Sequence, residues 1–325
     1  MSKKILIAAI VLFPLLGMGQ TDIDAIMMEK NAFCVGPMYS YSSWKNYWEG
    51  KLKRDNENLG TVSTQMFGIM GTYGVTKRLN LLFGVPYVKT KASAGTLHGQ
   101  KGVQDLSLFV KYVPLRQKLG NGIFTVFAIG GFSTPLTNYV SDFLPLSIGL
   151  HTTNLLARAM ADYQVNKLFV TGSATYVFRS NIKIDRTAYY TTEEHLSNEV
   201  DMPDMATFNL RFGYRSYHLI AEAVFNNMTT LGGFDITRNN MPFPSNRMNA
   251  TTGGVNVKYT PAFFPRLSVV AGSNYVMNIK NFKVNGDAIF AARNVGQALT
   301  IDAAIFYVLD FSHKSKSDTN NNQTK

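Results

Sequence analysis

The sequence predicts an all-β fold: a transmembrane antiparallel up-and-down β-barrel of about 12 strands, with short periplasmic turns and long extracellular loops. Three observations predict it: a low-charge, aromatic-rich composition, segments of about ten residues in which apolar and polar side chains alternate, and connections of alternating length. The 325 residues are 46% apolar and 12% aromatic but only 16% charged, against roughly 25% charged in soluble proteins. This composition excludes a disordered chain, and a single cysteine excludes an internal disulfide scaffold.

The first twenty residues are typical of an export signal. Lys3 and Lys4 precede an apolar run over residues 5–16, and small residues follow at 17–20. This layout predicts a secretory signal peptide over residues 1–20. The alternative is a membrane anchor, but a helix of twelve residues is too short to span a bilayer, which takes about 20.

The rest of the chain divides into three parts. Residues 21–31 are predicted to form a short periplasmic N-terminal extension, since eleven residues are too few for a plug domain. A short helical turn tucked inside the barrel is the alternative. Residues 32–311 carry the alternating pattern and form the barrel. The polar residues 312–325 are predicted to be a disordered C-terminal tail.

Side-chain alternation defines the strands. Leu210 and Phe212 are separated by Arg211, for example, and a period of two indicates a strand because successive side chains point to opposite faces. The predicted strands are residues 32–42, 62–73, 79–89, 103–113, 122–132, 152–163, 167–179, 205–215, 217–226, 249–260, 266–277 and 297–311. The short connections are 74–78, 114–121, 164–166, 216 and 261–265. The long connections are 43–61, 90–102, 133–151, 180–204, 227–248 and 278–296. An even number of strands with short turns at one end is typical of bacterial outer-membrane barrels.

Tyrosines support a wall that crosses a membrane. Five of them each end a predicted strand just before a short turn and form a predicted interface girdle: Tyr73, Tyr112, Tyr163, Tyr214 and Tyr259. A lipid–water interface favours such amphipathic rings, whereas a periplasmic or secreted β-sandwich, which alternation alone would allow, gives no reason for their regular position. The last strand ends in Phe311, which resembles the signal that the barrel-assembly machinery recognises. We therefore predict the bacterial outer membrane as the location.

The inward-facing rows carry the charged residues of the predicted strands. Lumen-lining or selectivity candidates are Lys89, Asp105, Lys111, Arg158, Asp162, Arg179, Arg211, Arg215, Glu222, Lys258 and Asp302. The same charges on the lipid side would cost about 2–4 kcal/mol for an Arg or Lys at the midplane. Two interpretations remain open: an ion-pair lattice that props the wall, or a filter that selects solutes.

One part of the sequence resembles a known family. The stretches Gly84-Val85-Pro86-Tyr87, Gly102–Leu108, Lys111-Tyr112 and Gly130–Pro135 resemble the outer-membrane family labelled "MetA-pathway of phenol degradation". That family is similar to the channels for long-chain fatty acids and aromatic hydrocarbons. The resemblance covers residues 62–135 well and the rest in architecture. It implies passive uptake of small hydrophobic solutes and no catalytic residues. The near absence of an N-terminal plug and the count of twelve strands count against a lateral gate of the fatty-acid type.

These observations favour a non-enzymatic channel for small, hydrophobic or aromatic solutes. The abundant Asn and Tyr and the Gly19-Gln20 end of the signal resemble the composition of a Bacteroidetes-like Gram-negative protein. The main alternative is a non-conducting barrel whose long loops 43–61, 133–151 and 180–204 bind a partner or scaffold the envelope. A third hypothesis is an outer-membrane lipid hydrolase that uses His195 and Ser197, with nearby carboxylates able to bind calcium. The sequence predicts no metal site, no cofactor and no catalytic residue.

The formal charge of +11 raises the question of anionic partners. No basic helix or basic-aromatic cluster favours nucleic acid. Outer-membrane lipid and lipopolysaccharide are the predicted partners besides the solute. Lys51, Lys53 and Arg54 in the first long loop are the residues predicted to meet lipopolysaccharide, a hypothesis from charge alone that their joint replacement by Gln would test.

Overall fold

The structure is a computed structural model that describes residues 21–236, 242–284 and 287–311. The predicted signal peptide over residues 1–20 and the predicted tail over residues 312–325 lie outside the described residues. Within the described ranges, no helix has the length and apolar character needed to cross a membrane.

Twelve long antiparallel strands form one closed wall. We number them β1 (Ala32–Trp44), β2 (Val62–Thr76), β3 (Leu79–Ala92), β4 (Asp105–Leu119), β5 (Gly122–Pro135), β6 (Asn154–Val165), β7 (Leu168–Arg179), β8 (Met205–Arg215), β9 (Leu219–Thr230), β10 (Asn249–Tyr259), β11 (Leu267–Met277) and β12 (Leu299–Asp310). Each strand pairs with the next along the chain, and β1 closes on β12 in a register that runs from Ala32 opposite Asp310 to Ser43 opposite Leu299. The predicted twelve-stranded barrel is confirmed.

Side chains separate into an outward apolar surface and an inward surface with most of the charges. On β8 the outward Leu210 and Phe212 are 43% and 53% exposed, whereas Arg211 between them is 5% exposed. Exposed apolar side chains on the outer surface of a closed barrel meet lipid, which needs no polar partner. The five predicted girdle tyrosines all lie on outward rows toward the short-turn end of the wall.

The second short connection differs from the prediction. The sequence predicts a turn over residues 114–121, but β4 continues to Leu119 and the turn is reduced to Gly120 and Asn121, where Gly120 has a φ of 58°. The predicted turn is therefore too long by six residues. Pro114 lies at an irregularity between Tyr112 and Leu115, where a missing N–H donor is tolerated. Tyr112 therefore lies within β4 and not at its end.

The six long connections lie at the opposite end, over residues 45–61, 93–104, 136–153, 180–204, 231–248 and 278–298. The connection 136–153 folds back into the mouth of the barrel. Its Leu146 is fully buried against Leu59 and Val62, and the Thr90 hydroxyl donates to the Leu146 carbonyl at 2.5 Å. Val62 and Thr90 lie on inward rows, so this loop narrows the lumen from above.

Residues Thr21–Asn31, which we call the inner segment, lie inside the barrel. Ile26 packs against Phe169 and Ile220, and Met28 packs in a buried cluster with Cys34 and Phe306. The segment thus occupies the inside position that the sequence left as the alternative to a free extension, but with turns and bends in place of the helical turn. Asp22 and Asp24 lie near the start of the segment, and four apolar residues follow at positions 25–28. The segment therefore fits an interior that offers both basic and apolar side chains.

Candidate functional site: the lumen and its inner segment

Two acidic residues of the inner segment meet two basic residues of the wall. Lys111 on β4 is fully buried, and its Nζ donates to Asp24 Oδ1 at 3.1 Å and to the carbonyl oxygens of Asp24 at 2.5 Å and Thr21 at 3.1 Å. Arg158 Nη1 on β6 donates to Asp22 Oδ2 at 2.8 Å and to the Asp22 carbonyl at 3.0 Å. A buried charge is tolerated when an opposite charge and further hydrogen bonds satisfy it. These contacts fix the start of the segment against the wall.

Another ion pair, between Arg215 and Asp162, lies nearer the short-turn end. Arg215 Nη1 donates to both carboxylate oxygens of Asp162, at 3.2 and 3.1 Å, and its guanidinium lies 3.8 Å from the centre of the Phe169 ring. Asp162 also accepts the Thr171 hydroxyl at 2.5 Å. Such multiple bonds hold the guanidinium in one orientation. These groups are paired with each other and fix the wall.

Four further charged residues of the inward rows, Arg211, Glu222, Lys258 and Asp302, lie on strands β8, β9, β10 and β12. Arg211 Nη1 donates to Glu222 Oε1 at 2.5 Å. Lys258 on β10 is buried, at 8% exposed. Asp302 on β12 accepts from the Asn274 amide at 3.4 Å, a long contact.

Asp105 and Arg179 face the upper lumen. Asp105 accepts the Tyr139 hydroxyl at 2.7 Å, and that same hydroxyl accepts the backbone N–H of His151 at 3.0 Å. Burial, together with the Asp105 carboxylate, raises the pKa of Tyr139. Arg179 Nη2 contacts the sulfur of Met205 at 3.1 Å. Within the described residues its side chain forms no salt bridge, and it lines the cavity beside it.

Lys89 is not where the sequence predicts it. It is exposed on the outward row of β3 beside Tyr87, because Val88 and Thr90 occupy the inward row. Lys101 lies directly opposite Lys89 in the sheet. The prediction assumed that any charged residue avoids the outer surface. Near the end of a strand, however, a lysine reaches the polar headgroup region with its ammonium group while its stem stays in lipid.

Three cavities follow one another along the lumen. An outer pocket of about 260 Å³ is lined by Trp44, Tyr47, Trp48 and Phe243 among the long connections. Below it lies an upper cavity of about 320 Å³. Its lining includes Asp105, Phe109, Leu156, Val177 and the loop residues Gly149, Leu150 and Thr152. Arg179 lines both. The two spaces therefore share one basic side chain.

The third cavity, of about 940 Å³, is the vestibule at the short-turn end. Five basic side chains line it: Lys77, Arg78, Arg116, Lys118 and Arg215. The inner segment separates this vestibule from the upper cavity. Ala25 and Met27 line the vestibule and pack on a buried cluster that contains Phe127 and Met160, against which Phe109 and Leu156 of the upper cavity also pack.

Asp22, Asp24 and Tyr139 contact predicted lumen residues but are not among the residues predicted from the sequence. A signal for the two aspartates was present, because they are spaced two apart beside apolar residues and the predicted lumen had a basic excess. Nothing local indicated Tyr139, whose contact with Asp105 depends on how a long loop folds back.

The residues of the hydrolase hypothesis do not form a catalytic pair. His195 Nε2 lies 2.9 Å from the Thr191 hydroxyl and its ring stacks on Tyr189, whereas Ser197 Oγ accepts the N–H of Glu199 at 3.0 Å. Over the part of the chain that the structure describes, no hydrogen bond joins His195 to Ser197, and no group of three or more His, Cys, Asp or Glu is placed to hold a metal.

Comparison with solved structures places this fold. The chain is similar to the COG4313 outer membrane channel from Pseudomonas putida F1, with a TM-score of 0.67, 15% identity, and coverage of 90% of this chain and 100% of that one. The chain has the β-barrel fold of this channel. The TodX deltaS2S3 mutant monoaromatic hydrocarbon channel is also similar, with a TM-score of 0.45, 8% identity, and coverage of 87% of this chain and 91% of that one. The translocator domain of the autotransporter NalP from Neisseria meningitidis has a TM-score of 0.44 and 10% identity, and the match covers 88% of this chain and 90% of that one.

At 15% identity the likeness to the Pseudomonas channel is a likeness of fold, and this fold fits the family resemblance that the sequence shows. No family model matches the chain, and no curated protein matches it.

Proposed function

We propose that this barrel is a channel for the passive uptake of small hydrophobic or aromatic solutes, with the inner segment as its internal barrier. The observation that carries the proposal is the row of three cavities along the lumen, two of which meet at Arg179 while the third lies beyond the inner segment. Such a row provides binding sites at successive depths, and conduction needs sites that a solute can both enter and leave.

The chemistry of the upper two cavities supports a flat, weakly polar solute. Trp44, Trp48 and Phe243 offer ring faces and edges on which an aromatic molecule can stack. Arg179 adds hydrogen-bond donors and a cation that can lie over an aromatic ring. Phe109 and Leu156 then form an apolar floor beneath it. A phenol-like molecule satisfies all three surfaces.

The inner segment has to move for a solute to reach the vestibule. It is held by the pairs of Lys111 with Asp24 and of Arg158 with Asp22, and by apolar contacts of Ile26 and Met28. We propose that Lys111 and Arg158 act through this segment, and that Arg179 contacts the solute. The ion pairs of Arg215 with Asp162 and of Arg211 with Glu222 keep the wall in shape during passage.

A second candidate is a barrel that does not conduct and whose loops bind a partner. Two observations favour it: the inner segment fills the middle of the lumen, and the connection 136–153 folds into its mouth. The two candidates differ in what happens when the inner segment is removed.

Flux measurements in liposomes distinguish them. The mature chain and a variant with residues 21–28 replaced by a Gly-Ser stretch of equal length would be refolded, and heat-modifiability would establish that both barrels are folded. Uptake of phenol-like, fatty-acid and sugar solutes would be compared with empty liposomes. The channel proposal expects phenol-like solutes to enter fastest, and the variant to be faster than the native chain. General leakiness of the native chain would indicate a non-selective pore. No flux above background from either barrel would favour the second candidate.

A further inference from the structure

An apolar groove with a basic rim lies on the outer surface of the barrel, between strands β8 and β9 and the hairpin formed by Ile279–Val284 and Asp287–Phe290. We call it the outer groove. Its volume is about 750 Å³, within the range of about 300–1,000 Å³ that is usual for small-molecule sites. Phe208, Leu231, Ile289 and Phe290 supply apolar lining.

Strand registers place the outer groove outside the lumen. Phe208 lies on the outward row of β8, 54% exposed, together with Leu210 and Phe212. Asn227 on β9 is directly opposite Phe208, and Thr251 on β10 is directly opposite Asn227. Residues directly opposite one another in an antiparallel sheet share a face. The groove thus faces lipid, at the end of the wall away from the tyrosine girdle.

Three polar residues on this outward face hold the hairpin in place. Asn227, Asn249 and Thr251 are nearly or fully buried, although their rows face outward. The Asn227 amide donates to Asn249 Oδ1 at 2.8 Å and to Thr251 Oγ1 at 2.9 Å, and the Asn249 amide donates to the Ile289 carbonyl at 3.1 Å. Phe290 packs edge-on against Phe225 of the wall, with the ring centres 5.3 Å apart. The groove is therefore a built feature of the wall.

The rim of the outer groove is strongly basic. Its charged lining residues are Lys51, Arg247, Lys280, Lys283, Arg293 and a single acid, Asp287. Lys51 pairs with Asp287, and Arg293 pairs with Asp235 of the neighbouring loop. Arg247 and Lys283 are exposed and belong to no ion pair within the described ranges. The rim therefore carries positive charge that the groove itself does not neutralise.

A shallow depression continues the groove along the wall. It has a volume of about 550 Å³ and shares Phe208 and Phe290 with the outer groove. Its floor is made of small outward residues, Ala159, Ala161, Gly172 and Ala174. A Cβ atom added at Gly172 would meet no atom within 4 Å, so this part of the wall is open.

We propose that the outer groove binds a phosphorylated lipid of the outer leaflet, with its phosphate at the basic rim and one acyl chain along the depression. The basic rim lies at the level of the lipid headgroups and complements the negative charge of a phosphate. The depression with its floor of small residues runs from the rim toward the hydrocarbon, where an acyl chain lies. This site differs from the contact with lipopolysaccharide predicted from the sequence for Lys51, Lys53 and Arg54, which involves loop charge alone. Of those three residues, Lys51 alone lines the outer groove.

Binding of a defined lipid tests the proposal. The full mature chain in detergent would be titrated with bis-phosphorylated lipid A, with dephosphorylated lipid A and with inorganic phosphate, and bound lipid would be counted by native mass spectrometry. One variant, Arg247→Gln with Lys283→Gln, removes rim charge. Its matched control, Lys77→Gln with Lys118→Gln, removes the same charge at the short-turn end. A second variant, Gly172→Leu, fills the depression, and Gly130→Leu is its control, because a Cβ at Gly130 also meets nothing within 4 Å on the outward face.

We expect the rim variant to weaken binding of phosphorylated lipid A by about tenfold or more, since two cations near an anionic lipid surface are lost, and to leave the dephosphorylated form unchanged. Gly172→Leu should weaken the binding of both the phosphorylated and the dephosphorylated lipid A. Both control variants should bind these lipids as the native chain does. Native-like binding by either variant would overturn the proposal. Inorganic phosphate that displaces lipid A at equal concentration would also overturn it, because the site would then recognise a free anion.

Discussion

Lys111 Nζ lies 3.1 Å from Asp24 Oδ1, joining β4 to the inner segment in the middle of the barrel. The lysine is fully buried and the aspartate side chain is 14% exposed, so neither charge is well solvated. An ion pair of this kind adds little stability compared with two apolar groups, but each partner makes the other tolerable. The pair thus determines where the segment lies.

Lys111→Met should destabilise the barrel because it leaves Asp24 buried and without its main partner. We expect the free energy of unfolding to fall by about 3 kcal/mol. The double variant Lys111→Met with Asp24→Asn should recover most of that loss, since no uncompensated charge remains. Urea unfolding in detergent micelles, followed by tryptophan fluorescence, measures both. Equal losses in the single and double variants would contradict the pairing.

Gly74→Val should displace the inner segment without altering the outer wall. Gly74 lies on the inward row of β2, and a Cβ there would come within 2.0 Å of the Glu29 carbonyl oxygen. Its own carbonyl also accepts the N–H of Asn31 at 2.7 Å, so the segment passes close over this position. A cysteine at position 28, in a Cys34→Ala background, should react faster with a water-soluble maleimide when Val replaces Gly74. The control is Gly130→Val, whose side chain points into open space on the outer face; equal acceleration by the control would rule out a local effect.

The sequence predicts the wall well because the wall is periodic. A residue such as Arg211, set between Leu210 and Phe212, has its face fixed by its neighbours. Eleven of the twelve strands begin and end within four residues of their predicted bounds, and β4 ends six residues later than predicted. The rule fails where a surface depends on distant parts of the chain. Lys89 lies near a strand end, where the outward side offers headgroups instead of hydrocarbon. Asp24 meets Lys111 across 87 residues of sequence, a separation that no local pattern encodes.

Side-chain alternation also fails to predict the surroundings of some polar residues on the outward rows. Alternation predicts Thr251 on the lipid face, where an unpaired hydroxyl is costly. The structure resolves this through Asn227 and the hairpin that covers both. A buried polar residue on an outward row of a strand therefore indicates that another segment of the chain covers the wall at that position.

Asn227→Ala should loosen the hairpin that lines the outer groove. Thr251 Oγ1 would lose the hydrogen bond donated by Asn227, and Asn249 Oδ1 would lose one of its two hydrogen-bond donors. The expected cost is about 1–3 kcal/mol for leaving buried polar groups unsatisfied. Hydrogen exchange should speed up over residues 279–291 while the other strands stay protected. The matched control is Asn226→Ala, which changes the adjacent residue on the inward row. A uniform increase in exchange over the whole barrel would argue for a general loss of stability.

Asp235 links two long loops and should make their order depend on pH. Its carboxylate accepts hydrogen bonds from Arg293 and from the Asn294 amide, and the Arg293 bond above all holds the pKa of Asp235 below its usual value. A carboxyl with a depressed folded-state pKa stabilises the fold fully above its unfolded pKa of about 3.9, and that stabilisation is lost as the pH falls through the folded value. Because the side chain is 40% exposed, the effect should be modest and local.

Asp235→Asn should therefore raise hydrogen exchange in residues 231–236 and 292–295 at neutral pH. The difference from the native chain should shrink below pH 4, when the native carboxylate becomes protonated as well. Exchange rates corrected for intrinsic pH dependence measure this over the range from pH 7 to pH 3. A difference that stays constant over that range would mean that the amide disturbs the loops by its shape, and that the charge of Asp235 does not hold them together.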